Sequence, residues 1–173
     1  MICFYTTKHG ATKYIIDKIF EDHKNVRIKE ISFDEPPEIE DDVFLAFPIY
    51  YVAAHRKAER FIRENINLLL TKNVTLAVIG MMPKLYKDVD VYSILDSKGK
   101  EELAFNVKGT INKDLIDRSK VILIEGNLNR EKLNKYELLM NGHLLQMDNE
   151  EVLEQFYLKC EKLKNLYDEC FEE

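Results

Sequence analysis

Residues 2–20, ICFYTTKHGATKYIIDKIF, contain a short apolar strand, a polar turn and the start of an amphipathic helix. The strand is predicted over Ile2 to Thr6. From Ala11 to His23, apolar residues recur at positions 11, 15, 16, 19 and 20, which is the spacing of one helix face. A strand that leads through a tight turn into a helix is the typical opening of an α/β chain.

The rest of the chain repeats this alternation. Four more strands are predicted, over Val26–Ile31, Val43–Phe47, Val74–Ile79 and Val121–Ile124. The first of these alternates apolar and polar residues and is expected near a sheet edge, whereas the other three are continuous apolar runs, typical of parallel strands covered on both faces. Helices are predicted between them and after the last strand, with the weakest signal over residues 81–120, where 97–105 and 111–118 are the candidate helices.

This pattern predicts an α/β fold: a single domain over residues 1–173, with a doubly wound, five-stranded parallel sheet in the order 2-1-3-4-5 and helices on both faces. In that order a ligand binds at the switch point beyond strands 1 and 3. The loops to inspect are therefore 6–12 and 47–55. The tail, Glu150 to Phe171, has apolar residues at alternating steps of three and four and is predicted to pack as a helix on one sheet face, with a coiled-coil homodimer as the alternative.

Composition excludes several classes of function. The formal net charge is −6, which gives no basic footprint for nucleic acid. The three cysteines form no C-x-x-C pair, so neither a disulfide framework nor a metal site is expected, and a reducing, cytoplasmic location fits best. The longest apolar run, Val43 to Ala54, contains Pro48 and is too short to span a bilayer, and no secretory signal is expected.

Common catalytic motifs are absent as well. The six glycines form neither the dinucleotide turn G-x-G-x-x-G nor the Walker loop G-x-x-x-x-G-K. No serine stands in G-x-S-x-G, and no two histidines form H-x-x-x-H, so the chain lacks the signature motifs of serine hydrolases and zincins.

The loop after the first strand has the chemistry of a phosphate site. A helix N-terminus presents unpaired amides and a partial positive charge, Gly10 permits a turn with positive φ, and Thr7 and Thr12 supply hydroxyls. Lys8 or Lys13 would add counter-charge. The alternative is that Thr7 only caps the helix and Gly10 only relieves the turn.

In these loops the chain resembles the flavodoxin-like FMN proteins, and in particular the flavodoxin-domain group that includes menaquinone-dependent protoporphyrinogen oxidases. Residues 6–12 match the family's signature of two hydroxyl residues, two variable residues, Gly, one variable residue and Thr. Residues 48–51, followed by His55 and Phe61-Ile62, are similar to the loop and helix beneath the isoalloxazine. Residues 121–129 leading to Leu133 are similar to the last strand and its turn.

The resemblance implies FMN as the cofactor, and three segments are predicted to bind it. The predicted cofactor-binding residues are Thr6, Thr7, Lys8, His9, Gly10, Ala11 and Thr12, then Pro48, Ile49, Tyr50, Tyr51 and Val52, then Gly80, Met81 and Met82. Tyr50 or Tyr51 is expected to stack on the flavin ring. Tyr86 and Tyr92 are the candidates to cover its other face.

The implied function is an FMN-binding redox protein that passes electrons through flavin N5 to a partner protein or a small molecule. A quinone-dependent, protoporphyrinogen oxidase-like oxidoreductase is the enzymatic alternative. The competing hypothesis is a flavodoxin-shaped interaction or regulatory module that no longer binds FMN. Two residues favour that module: Val52, where the family usually has Gly, and Glu125, whose charge would disfavour an anionic ligand.

Overall fold

The computed structural model describes residues 1–50, 53–80, 91–126 and 158–171. The strands are β1 (Ile2–Tyr5), β2 (Arg27–Glu30), β3 (Asp42–Tyr50), β4 (Ala53–Ala54), β5 (Asn73–Gly80), β6 (Tyr92–Ile94) and β7 (Lys120–Glu125). The helices are α1 (Ala11–Ile19), α2 (Arg56–Leu69), α3 (Ser97–Asn106), α4 (Lys113–Arg118) and α5 (Leu166–Phe171), the last preceded by a 3-10 helix, Glu161–Asn165.

Five parallel strands form the centre of the sheet in the order β2-β1-β3-β5-β7. This is the predicted order 2-1-3-4-5, and it confirms the doubly wound α/β class. β1 pairs with β2 and β3, so that Ile2 lies opposite Arg27 on one side and Val43 on the other. The carboxyl ends of β1 and β3 meet at one edge of the sheet, at the predicted switch point.

Two short antiparallel strands were not predicted. β6 pairs with β7 at the far edge of the sheet, and β4 pairs with the end of β3. β6 has three residues and β4 has two, so neither is long enough to produce a period-2 signal. The purely parallel, five-stranded sheet is therefore corrected to a mostly parallel one.

The two faces of the sheet hold separate apolar clusters, which is why its central strands are apolar throughout. α2, α3 and α4 cover one face, with Phe61 packed against Phe4 at 4.9 Å between ring centroids. α1 and the tail cover the other, where Ile16 lies in one cluster with Cys160 and Leu166. The predicted packing of the tail on a sheet face is confirmed for residues 158–171, although the 3-10 helix interrupts the predicted continuous helix.

Among the described residues, no helix combines the length and the apolar character that crossing a bilayer requires.

Candidate functional site

The carboxyl ends of three neighbouring strands carry the predicted segments. Residues 6–10 follow β1, β3 ends at Tyr50, and Gly80 ends β5, so all three segments lie at the same edge of the sheet. The predicted helix start is also confirmed, because α1 begins at Ala11.

Gly10 forms the N-cap of α1 in a conformation that favours glycine, with φ 90° and ψ −14°. No side chain caps this helix end, so the amides of its first turn remain available to a ligand. The Gly10 amide itself donates to Thr7 Oγ1 at 3.0 Å. Thr7 therefore closes the turn and does not cap the helix. Since its oxygen acts as the acceptor in this bond, its own proton can still be donated.

The threonines on either side of this turn are both buried. Thr6 is fully buried, its amide donates to the carbonyl of Ala46 at 3.0 Å, and its Oγ1 has no hydrogen-bond partner among the described residues. Thr12 is 1% exposed and lies on the same helix face as Ile15 and Ile16. Buried hydroxyls are normally hydrogen-bonded, so an orphaned one in the segment that leads into an uncapped helix end is an observation that a bound anion would explain.

Four side chains from two segments gather beside this turn. The Tyr50 ring lies 6.5 Å from the His9 ring in an edge-on arrangement and 6.1 Å from the His55 ring. Lys8 Nζ lies 6.0 Å from the centroid of the Tyr50 ring. Lys13, the other predicted source of counter-charge, forms an ion pair with Asp17 on its own helix. Lys8 is thus the cation that joins the two loops.

His55 is the N-cap of α2, and its Nδ1 accepts from the Lys57 amide at 3.3 Å. Burial lowers the pKa of His55, and the positive charges of Lys57 and Lys8 lower it further, against a smaller opposing effect of Glu30. This acceptor role requires an unprotonated Nδ1, which the lowered pKa favours. The structure therefore describes His55 as a helix cap.

The segment that begins at Pro48 extends β3 and then pairs with the antiparallel strand β4, where the sequence predicted a loop. Pro48 lies opposite Ile79 in β5, and Ile49 pairs with Ala54. Proline is tolerated here because β1 has already ended, so no strand on that side requires an N–H from residue 48. We call the described residues 48–50 and 53–55 the ring hairpin.

Gly80 is held in place by the residue that follows β7. Gly126 donates its amide to the Gly80 carbonyl at 2.9 Å, and a Cβ on Gly126 would lie 2.9 Å from Ile79 Cγ2. A larger residue at 126 would therefore require the buried Ile79 side chain to shift. The neighbouring Glu125 pairs with Lys159 of the tail at 2.9 Å, which offsets the negative charge that favoured the ligand-free module.

Other predicted residues lie outside the described residues: Tyr51, Val52, Met81, Met82 and Tyr86. Tyr92 is described. It lies in β6, three strands from β3, which corresponds to about 14 Å at the usual strand spacing, and its hydroxyl donates to Glu169. That it covers the other face of the flavin stays a prediction.

Neither the cysteine thiols nor the possible metal ligands of the described residues are arranged for catalysis or metal binding. Burial raises the pKa of Cys3, and raises that of Cys160 to about 12, so both are protonated thiols at neutral pH. Across residues 1–50, 53–80, 91–126 and 158–171, no three His, Cys, Asp or Glu side chains gather as a metal site would require.

A family model agrees with this architecture. The family model of the flavodoxin domain matches residues 2–151. A search of curated proteins returned no match. Among solved structures, the Fusobacterium nucleatum flavodoxin bound to flavin mononucleotide is 13% identical, with 99% of this chain and 98% of that chain covered and a TM-score of 0.43.

Two further structures were matched. A mutant of the Fusobacterium nucleatum flavodoxin bound to flavin mononucleotide is 20% identical over 69% of this chain, with a TM-score of 0.37. That alignment spans 65% of the flavodoxin mutant, just under two thirds of its length. Oxidised flavodoxin 1 from Bacillus cereus is 14% identical, with 86% of this chain and 97% of that chain covered and a TM-score of 0.37.

Proposed function

The chain belongs to the flavodoxin domain family, and from that membership and the geometry of its loops we propose that it binds FMN and transfers electrons. The observation that carries the proposal is the turn before α1. There an uncapped helix end, a glycine at φ 90° and a buried hydroxyl without a partner occur together. A monoester phosphate would accept from the open amides and could supply the acceptor that the hydroxyl lacks, and the glycine allows the turn that leads into this helix end.

The phosphate would be held by residues 6–12. The amides of Ala11 and Thr12 point out of the helix end, and the Thr7 hydroxyl retains a proton to donate. Lys8 supplies a positive charge at the same edge of the sheet. The loop has one such cradle and no dinucleotide glycines, which favours FMN over FAD.

The flavin ring would lie between the ring hairpin and the segment that begins at Gly80. Tyr50 offers an aromatic face at the end of β3, and a half-buried ring adds contact area without a polar penalty. When bound, FMN supplies the electron transfer through its ring. The protein's part is to hold and orient the ring and to exclude water from one face.

The identity of the electron donor and acceptor is a further proposal. A partner protein or a small molecule fits equally well, and a protoporphyrinogen oxidase-like activity and a homodimer stay predictions. We place the protein in the cytoplasm. In support, Cys3, Cys160 and Cys170 are all free thiols and all buried.

The decisive experiment is direct. The protein is purified without added cofactor, its visible spectrum is recorded, and the flavin released by denaturation is identified by chromatography. We expect a flavin band and FMN, or FMN fluorescence that is quenched when the colourless protein is added. A colourless protein that leaves FMN fluorescence unchanged contradicts the proposal and favours the ligand-free module.

A further inference from the structure

A hydrogen bond joins the ring hairpin to a segment far along the chain. The amide of Ala54 donates to Thr110 Oγ1 at 3.1 Å, across 56 residues of sequence. Ala54 is 4% exposed, so water does not satisfy this amide. If Thr110 lacked its hydroxyl, a buried donor in the ring hairpin would be left without a partner.

The turn between α3 and α4 presents this hydroxyl in a fixed direction. Lys108 and Gly109 both adopt positive φ, at 48° and 74°. The chain then turns back, so that the Thr110 amide and Oγ1 both donate to the carbonyl of Val107, at 3.0 and 2.8 Å. With its proton directed at Val107, the Thr110 oxygen offers its lone pairs to Ala54.

We propose that Thr110 is a positioning residue for the flavin, which fixes the ring hairpin in its binding conformation before the cofactor arrives. This inference rests on the proposed function. Among the described residues, β4 consists of two residues that pair with the end of β3, and the Ala54–Thr110 hydrogen bond ties it to the turn between α3 and α4. Tyr50, which faces the expected ring position, pairs with Ala53 of β4, so a displacement of β4 would remove a backbone partner of Tyr50.

A second threonine in the same local arrangement provides the control. Thr71 also follows a helix, and its amide and Oγ1 both donate to Leu68, at 3.0 and 2.7 Å. Thr71 is exposed and precedes β5, at the opposite edge of the sheet from the site. Thr71→Val therefore removes the same local bond with no consequence for the ring hairpin.

The experiment compares Thr110→Val, Thr110→Ser and Thr71→Val. Hydrogen exchange of the Ala54 amide is measured first, in the flavin-free protein, and the dissociation constants of FMN and riboflavin follow. We expect about tenfold less protection of Ala54 in Thr110→Val, and about tenfold weaker binding of both FMN and riboflavin. The affinities for FMN and riboflavin should fall by the same factor, because the variant disturbs the contacts of the flavin ring and leaves the phosphate cradle intact.

Thr110→Ser retains the hydroxyl and should keep both properties within about threefold of the wild type, as should Thr71→Val. If Thr110→Val does not fold, Thr110→Ala replaces it, since Thr110 is only half-buried and tolerates a smaller side chain. Unchanged Ala54 protection, or FMN and riboflavin binding as tight as in the wild type, would overturn the positioning role. A wild-type protein that binds no flavin would contradict the proposed function, whereas the exchange measurement would still report on the hydrogen bond.

Discussion

Replacing Thr12 with valine tests the phosphate cradle at a single atom. Thr12 is 1% exposed and shares the buried face of α1 with Ile15 and Ile16, so valine keeps the β-branched shape and removes only the hydroxyl. If that hydroxyl donates to a phosphate oxygen, the variant loses a hydrogen bond to a charged group, worth about 1.5 to 3 kcal/mol. The dissociation constant for FMN should then rise about 10- to 150-fold.

Riboflavin separates this effect from a general disturbance of the fold, because it has the same ring and no phosphate. Titration of flavin fluorescence should show riboflavin binding that is unchanged within about twofold. Thr75→Val is the matched control: Thr75 is also a buried threonine, 4% exposed, but lies near the start of β5, about 17 Å along the strand from Gly80. Equal losses of FMN and riboflavin in Thr12→Val would refute the assignment of this hydroxyl to phosphate.

Two further predictions concern the turn and the helix cap. Gly10→Val forces a β-branched residue into φ 90°, so we expect weaker FMN binding and a free energy of unfolding lowered by at least about 1–2 kcal/mol; an unchanged urea midpoint would contradict this. His55→Asn should keep the helix cap without titrating. Because the folded pKa of His55 is lowered, the wild type should have its full stability above about pH 6.5 and lose part of it as pH falls through the folded pKa. His55→Asn should not show that loss. The free energy of unfolding is measured with urea at pH 7.5, 6.5 and 5.5, and the same pH dependence in both proteins would contradict this titration of His55.

The central parallel strands could be predicted because burial on both faces requires continuous apolar runs in the sequence. Val43–Phe47 and Val74–Ile79 have no polar side chain that would need water, apart from Thr75, and such runs lie in the centre of a sheet. Pro48 misled the same reasoning. Proline normally indicates that a strand has ended, but its effect depends on whether a neighbouring strand needs its missing N–H. Here β1 pairs with β3 only as far as Tyr5, and this register cannot be read from the residues around Pro48.

The phosphate turn can be predicted from the sequence, whereas the Thr110 contact cannot. Within residues 6–12 the glycine and hydroxyls act on their own neighbours, so their spacing predicts the turn. Thr110 acts on Ala54 through a turn in which Lys108, a residue type that rarely adopts positive φ, takes φ 48°. Neither the turn nor its target has a local signature, because the contact depends on where α3 ends relative to β4.

The net charge of −6 is a poor guide to whether this site accepts an anion, because in the described part of the chain the acidic residues that end β2 and β7, Glu30 and Glu125, are already paired. Glu125 pairs with Lys159 at 2.9 Å, and Glu30 lies 3.8 Å from Lys57. At a distance, each such ion pair acts on a ligand mainly as a dipole. At physiological ionic strength, single exposed charges more than about 8 Å from the ligand are largely screened. What a phosphate meets at the turn is the uncapped end of α1, whose amides carry about half a positive charge and cannot move away. Local backbone geometry, and not total charge, therefore decides the sign of the potential at the cradle.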